Sequence, residues 1–177
     1  MTLPDAKAAL GIGSDYTDDD DELQDYLDGI GTAVEEYKGV VVEQREVSQK
    51  IWLRAATSFV LSSVPVISLT SVDTVDGSRS WQPDGFDVDE VSGLVTVLSG
   101  SVTGRVTATY DAGYAEVPAN IKRGALVILQ HVWETQRGVG SVQSGVVGSE
   151  EVYDPRFSYS VPRKALEWLG SPLPGVA

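Results

Sequence analysis

Few side chains in this sequence have the types and spacings that do chemistry. Its single histidine, His131, stands in the middle of an apolar helical repeat. A general base needs a nucleophile or carboxylate held beside it, and no spacing around His131 supplies one. Asp84, Asp87, Asp89 and Glu90 fall in one short stretch, which could in principle hold the carboxylate pair of a glycosidase. Gly85 and Gly93 around them mark the solvated rim of a hairpin instead. The run Asp18-Asp19-Asp20-Asp21-Glu22 is rich in oxygen donors. A calcium loop needs alternating ligands, a glycine at its middle and a distal glutamate, whereas these acids are contiguous. Carboxylates at the start of a helix are stabilised by its dipole, which accounts for the run without a metal. Trp52 and Trp81 could form a carbohydrate platform, although aromatic residues on strands more often belong to the core. Gly138-Val-Gly140 is not a dinucleotide fingerprint, because a helix precedes it and none follows promptly. There is no nucleophile elbow, no phosphate loop and no HExxH, and with no cysteine there is no thiolate chemistry. The expectation is a protein with no catalytic residues, no cofactor and no metal.

Composition narrows the partners. A length of 177 residues suits one domain, or one domain with an insertion. The net charge of −13 disfavours sequence-specific DNA binding, since phosphate contacts need Lys and Arg. No apolar segment follows a basic start, so no signal peptide is visible, and folding in a cytoplasm is expected.

The elements that would position these residues are legible in the spacing. Thr2, Pro4 and Asp5 open a short helix that Gly11 and Gly13 end. Leu23, Tyr26, Leu27, Ile30, Val34 and Tyr37 predict a second helix from about Asp18 to Lys38, stopped by Gly39. The period then becomes two. Strands are expected at 40–47, 50–54, 58–61, 64–75, 86–88, 94–98 and 105–110, with Asp76-Gly77 as a hairpin turn. Gly113 allows a tight turn, and Pro118 opens a helix running to Arg137, with Gly138 at its C-cap. In that helix Ile121, Ala125, Ile128 and Val132 make one apolar stripe, and Leu126, Leu129 and Trp133 the next. The arc is wider than a surface helix needs. Lys122, Arg123, Gln130, His131 and Glu134 interrupt it, so it is no membrane span. Residues 139–149 are rich in Gly and Ser, and a short amphipathic helix follows from Pro162 to Leu169. Tyr153, Phe157, Tyr159, Leu166, Trp168 and Leu169 make this terminal segment more aromatic and apolar than a tail needs, which suggests docking. The predicted class is α+β: a small helical bundle with an inserted antiparallel β-subdomain and an extended C-terminal segment. Its parts are N-terminal helices 1–39, a β-rich insertion 40–110, a central helix 111–138, and a loop with docking segment 139–177.

The order of these pieces resembles the tailed-phage head–tail connector (adaptor) proteins. The matching stretches are Thr2-Leu3 with Ala6-Lys7 and Leu10; Leu23-Gln-Asp-Tyr26-Leu27 with Val34-Glu-Glu-Tyr37-Lys-Gly39; Pro65-Val-Ile-Ser-Leu-Thr-Ser-Val72; Val106-Thr-Ala-Thr-Tyr-Asp-Ala-Gly-Tyr114 with Val117-Pro118 and Ile121-Lys122; and the helix to Trp133-Glu134 and Arg137. The resemblance implies a non-enzymatic virion protein, assembled in the host cytoplasm and located in the neck. Its expected partners are copies of itself in a homo-oligomeric ring, a dodecamer by the portal's symmetry; the portal protein; a tail, stopper or head-completion protein; and passing double-stranded DNA that is not specifically bound. Residues 138–161 and the C-terminal helix would order on contact with these partners. A carbohydrate- or protein-binding β-module is the alternative reading of the same residues.

Overall fold

The computed structural model describes residues 1–136 and 161–172. The fold is α+β, and among the described residues it forms two compact units. One is made from Met1–Val34 and Pro118–Pro172, the other is Glu35–Val117.

The helical unit begins with α1 (Leu3–Leu10). Thr2 Oγ1 accepts from the Asp5 amide at 3.4 Å, and the Asp5 carboxylate accepts from the Thr2 amide at 3.2 Å. This reciprocal capping box satisfies two amides that a helix start otherwise leaves open. Gly11, in the left-handed region, closes the helix. The acidic run does supply the first turn of α2 (Asp20–Lys38), which starts two residues later than Asp18. Lys7 is the buried cation of the unit. Its Nζ donates to the Tyr16 carbonyl at 2.7 Å and forms an ion pair with Asp20 at 2.6 Å, a charge contact rather than an aligned hydrogen bond. Leu23, Leu27, Ile30 and Val34 make the buried stripe of α2.

The long helix α3 spans Ala119–Gln136. The Pro118 carbonyl accepts the first helical bond, from the Lys122 amide at 3.0 Å. The proline therefore caps the helix rather than occupying its first turn, one residue earlier than expected. Lys122 reaches back to Asp5 at 2.8 Å. That contact and the Thr2 hydroxyl hold the Asp5 carboxyl down to about 2. Gln130 Nε2 donates to the Ala9 carbonyl at 2.7 Å, so the chain tethers α1 to α3 by side chains at both ends. Tyr26 meets Trp133 edge to face, with centroids 6.2 Å apart. The expected C-cap at Arg137 and Gly138 lies outside the described residues.

The β unit is built on β7 (Val102–Ala112). It pairs with β1 (Arg45–Ala56) on one edge and β3 (Val66–Thr74) on the other, in an antiparallel sheet of order β1-β7-β3-β4 with β4 at Ser80–Trp81. A second antiparallel sheet has the order β2-β6-β5, from Ser58–Val60, Leu94–Val97 and Phe86–Val88. Two expected strands, 40–47 and 50–54, are in fact one. β1 runs unbroken through Ser48-Gln49-Lys50, because β7 supplies ladder partners from Arg45↔Ala112 to Leu53↔Gly104. Val40, Val41 and Val42 are buried but precede the strand. β7 also extends past Tyr110, to Ala112. Gly113 then turns at φ 111°, where a Cβ would stand 2.7 Å from the Glu43 carbonyl oxygen. Asp76-Gly77 forms the turn between β3 and β4, as expected.

Two polar anchors fix this unit. Tyr110 is fully buried, and its hydroxyl donates to Gln49 Oε1 at 3.0 Å and accepts from the Ser63 amide at 3.2 Å. Glu35 takes both prongs of the Arg45 guanidinium, at 2.9 and 2.8 Å, and the Val42 amide at 2.7 Å. Burial pushes the Glu35 carboxyl up, but these donors more than offset it and leave it below its usual range. None of the described helices is long and apolar enough to cross a membrane.

Replacing Lys7 with Met should strand Asp20 without its counter-charge and cost roughly 2–4 kcal/mol in urea unfolding. Glu35→Gln should cost about 1–3 kcal/mol at neutral pH. Because the fold lowers the Glu35 pKa, its contribution is present above the ordinary value of 4.5 and fades as the pH falls. Wild type and Glu35→Gln should therefore converge in stability on acidification; a constant gap would exclude the carboxylate as the cause.

Candidate assembly surfaces

The residues with chemical potential are dispersed. No group of three or more His, Asp or Glu side chains that could hold a metal ion occurs among the described residues. His131 is half-buried on α3, away from any carboxylate bond, and its carbonyl accepts from the Thr135 hydroxyl at 2.9 Å. Asp89 turns the chain between β5 and β6 by accepting from the Val91 and Ser92 amides at 2.9 and 3.0 Å, which lower its pKa. Asp84, Asp87 and Glu90 are exposed around that hairpin. The stretch is a hairpin rim, as its glycines suggested.

The two tryptophans of the β unit part company. Trp81 is half-buried opposite Val72. Trp52 is 64% exposed, as a carbohydrate platform would need. Its ring, however, lies under two guanidiniums: Arg54 at 5.4 Å and Arg105 at 5.5 Å from the centroid. Part of the signal for this cluster was in the sequence. Lys50, Trp52 and Arg54 alternate on one face of a strand. The missing part is the register, which sets Arg105 directly across from Trp52.

The docking residues predicted at the C-terminus also divide. Tyr153, Phe157 and Tyr159 lie outside the described residues. In α4 (Arg163–Leu169), Trp168 is exposed and Leu166 half-buried. Leu169 points inward instead and is 2% exposed. A Cβ on Gly124 of α3 would stand 2.7 Å from its Cγ and Cδ2. Gly124 is thus the notch that receives Leu169, a pairing across forty-odd residues that no local pattern carries. Asn120 Nδ2 closes the joint on the Trp168 carbonyl at 3.2 Å.

α3 carries several apolar positions that are only half-buried. Ile121, Ala125 and Leu129 are buried, but Leu126, Val127, Ile128, Val132 and Trp133 are only half-buried. The chain covers one stripe of this helix and leaves the next partly open, as the sequence arc suggested. Val60, Val91, Leu94 and Leu98 are exposed in the second sheet and its turns. Such positions are candidates for association.

Comparison with known proteins settles what kind of chain presents such surfaces. A family model described as head completion protein matches residues 1–164. The chain belongs to the head completion protein family. No curated protein sequence matches it. Among solved structures it is similar to a chain of the neck of an empty gene transfer agent (GTA) particle computed with C6 symmetry. The TM-score is 0.67 at 15% identity, covering 98% of this chain and 90% of that one. A chain of the native GTA neck computed with C12 symmetry gives 0.60 at 15% identity, covering 98% and 93%. A chain of the native GTA virion gives 0.62 at 15% identity, covering 85% and 83%. The α+β arrangement is therefore the fold of this family member over the described residues, and the helix-with-β-insertion order expected from the resemblance is present among them.

If Gly124 is the seat of α4, then Gly124→Val should release the short helix while the β unit stays folded. Hydrogen exchange should show amide protection lost across 163–169 and kept across 102–112. Leu169→Ala should act in the same direction, weakening the docking by about 2–4 kcal/mol.

Proposed function

We propose that this chain is a structural component of the neck of a tailed virion or virion-like particle, where it forms a ring that joins the portal to the tail or stopper and lengthens the DNA channel. Membership of the head completion family over residues 1–164 carries this reading. The likeness to neck chains supports it. The protein works through surfaces and not through a reacting group. The half-open stripe of α3 and the exposed Trp168 are contacts for copies of the chain or for its stacked neighbours. The acid-rich composition, with 26 Asp and Glu against 13 Lys and Arg, keeps DNA phosphates from adhering as the genome passes. Tyr153, Phe157 and Tyr159 are assigned to the same docking on their aromatic character.

Negative-stain microscopy of the full chain over a concentration series, alone and with portal particles, tests the proposal. The expected result is a ring with sixfold or twelvefold averaged symmetry that seats on the portal. A chain that stays monomeric at all concentrations and ignores portal particles would overturn it. So would turnover of a small substrate by the monomer.

A further inference from the structure

The chain is strongly acidic, yet one exposed face of β1 and β7 is basic. Lys50, Trp52 and Arg54 follow one another at alternate positions on β1, and the register places Arg105 of β7 opposite Trp52. All four are exposed. Among the described residues, none of the three cations has a carboxylate partner. Asp73, which the register puts on the same sheet face, already accepts from Ser71 Oγ at 2.6 Å. Holding two arginines over an exposed indole restricts their rotamers, so their donor edges are arranged before any partner arrives. The arrangement fits carboxylates. Because guanidiniums lie over the ring, it is poorly placed to stack a nucleic-acid base, and a body of charge −13 repels a duplex.

The same chain carries a complementary strip. On α2, Asp21, Asp25 and Asp28 recur at spacings of four and three, so they share one helix face, and all are exposed. Only Asp28 has a side-chain bond among the three, from Gln24 Nε2 at 2.7 Å. From Asp21 to Asp28 the helix rises roughly 10 Å. From Lys50 to Arg54 the strand advances roughly 13 Å. Two different, complementary patches on every copy are what a head-to-tail contact requires, and repetition of such a contact makes a ring where its rotation closes.

We infer that the Lys50–Trp52–Arg54–Arg105 ridge of one copy docks on the Asp21–Asp25–Asp28 strip of the next. This inference rests on the ring reading above and names its subunit contact. The paired charges set the register and direction of the contact, as interfacial charges do.

The test uses the full chain and two charge-reversed variants, Arg54→Glu/Arg105→Glu and Asp21→Arg/Asp25→Arg. Assembly is followed by light scattering over concentration and salt, with circular dichroism melts to check folding. Wild-type rings should loosen as salt rises. Each reversed variant alone should need at least about tenfold more protein for half-assembly, because attraction becomes repulsion. The milder Lys50→Glu should move it about threefold. An equimolar mixture of the two reversed variants should assemble like wild type, since alternating copies restore every contact in an even-membered ring. If wild type forms rings and the arginine-reversed chain forms them equally well, the inference fails and the ring stands. If both variants fail and the mixture does not recover, the pairing of ridge with strip is wrong. If assembly is unchanged but retention of duplex DNA falls on arginine reversal, the ridge is a DNA contact. If wild type never assembles, the ring reading fails and this inference with it.

Discussion

Everything in the β unit depends on the two-sided pairing of β7. It gives ladder bonds to β1 on one edge and to β3 on the other, and its inward residues Val106, Ala108, Tyr110 and Ala112 are all fully buried. An interior strand with both edges used cannot slip by one residue without turning that whole row outward. The register then decides the outer face as well. It brings Arg105 to Trp52 and sets Asp111 opposite Glu46, so one end of the exposed face is cationic and the other acidic. The buried Tyr110 hydroxyl, bonded on both sides, adds a polar requirement that only one register meets.

Charge is used inside the molecule for position. Lys7 and Asp20 meet in the helical unit, Glu35 and Arg45 in the β unit, and the two carboxylates stand near opposite ends of α2. The buried Lys7 would become a costly orphan without Asp20, whereas Arg45 is half exposed and loses mainly a geometric constraint. The effect of both pairs is to make alternatives unfavourable.

Outside, charge has the opposite task. Lys50, Arg54 and Arg105 around Trp52 and the Asp21, Asp25 and Asp28 carboxylates of α2 are exposed in the isolated chain. In the proposed subunit contact they give direction and register.

Local pattern already determined much of this. The capping box at Thr2 and Asp5, the stripe of α2, the Asp76-Gly77 turn, the wide arc of α3 and the hairpin rim around Asp89 are all contacts within a few residues, and spacing encodes them directly. The α+β class follows from the same signals. Tertiary structure alone decided the rest. It joined two apparent strands into β1, because ladder partners on β7 override polar residues in the middle. It turned Leu169 inward by providing a notch at Gly124, and it placed arginines from two strands over Trp52. Each of these depends on which distant residue stands opposite, and a one-dimensional pattern carries the period of a strand or helix but not its register against a neighbour.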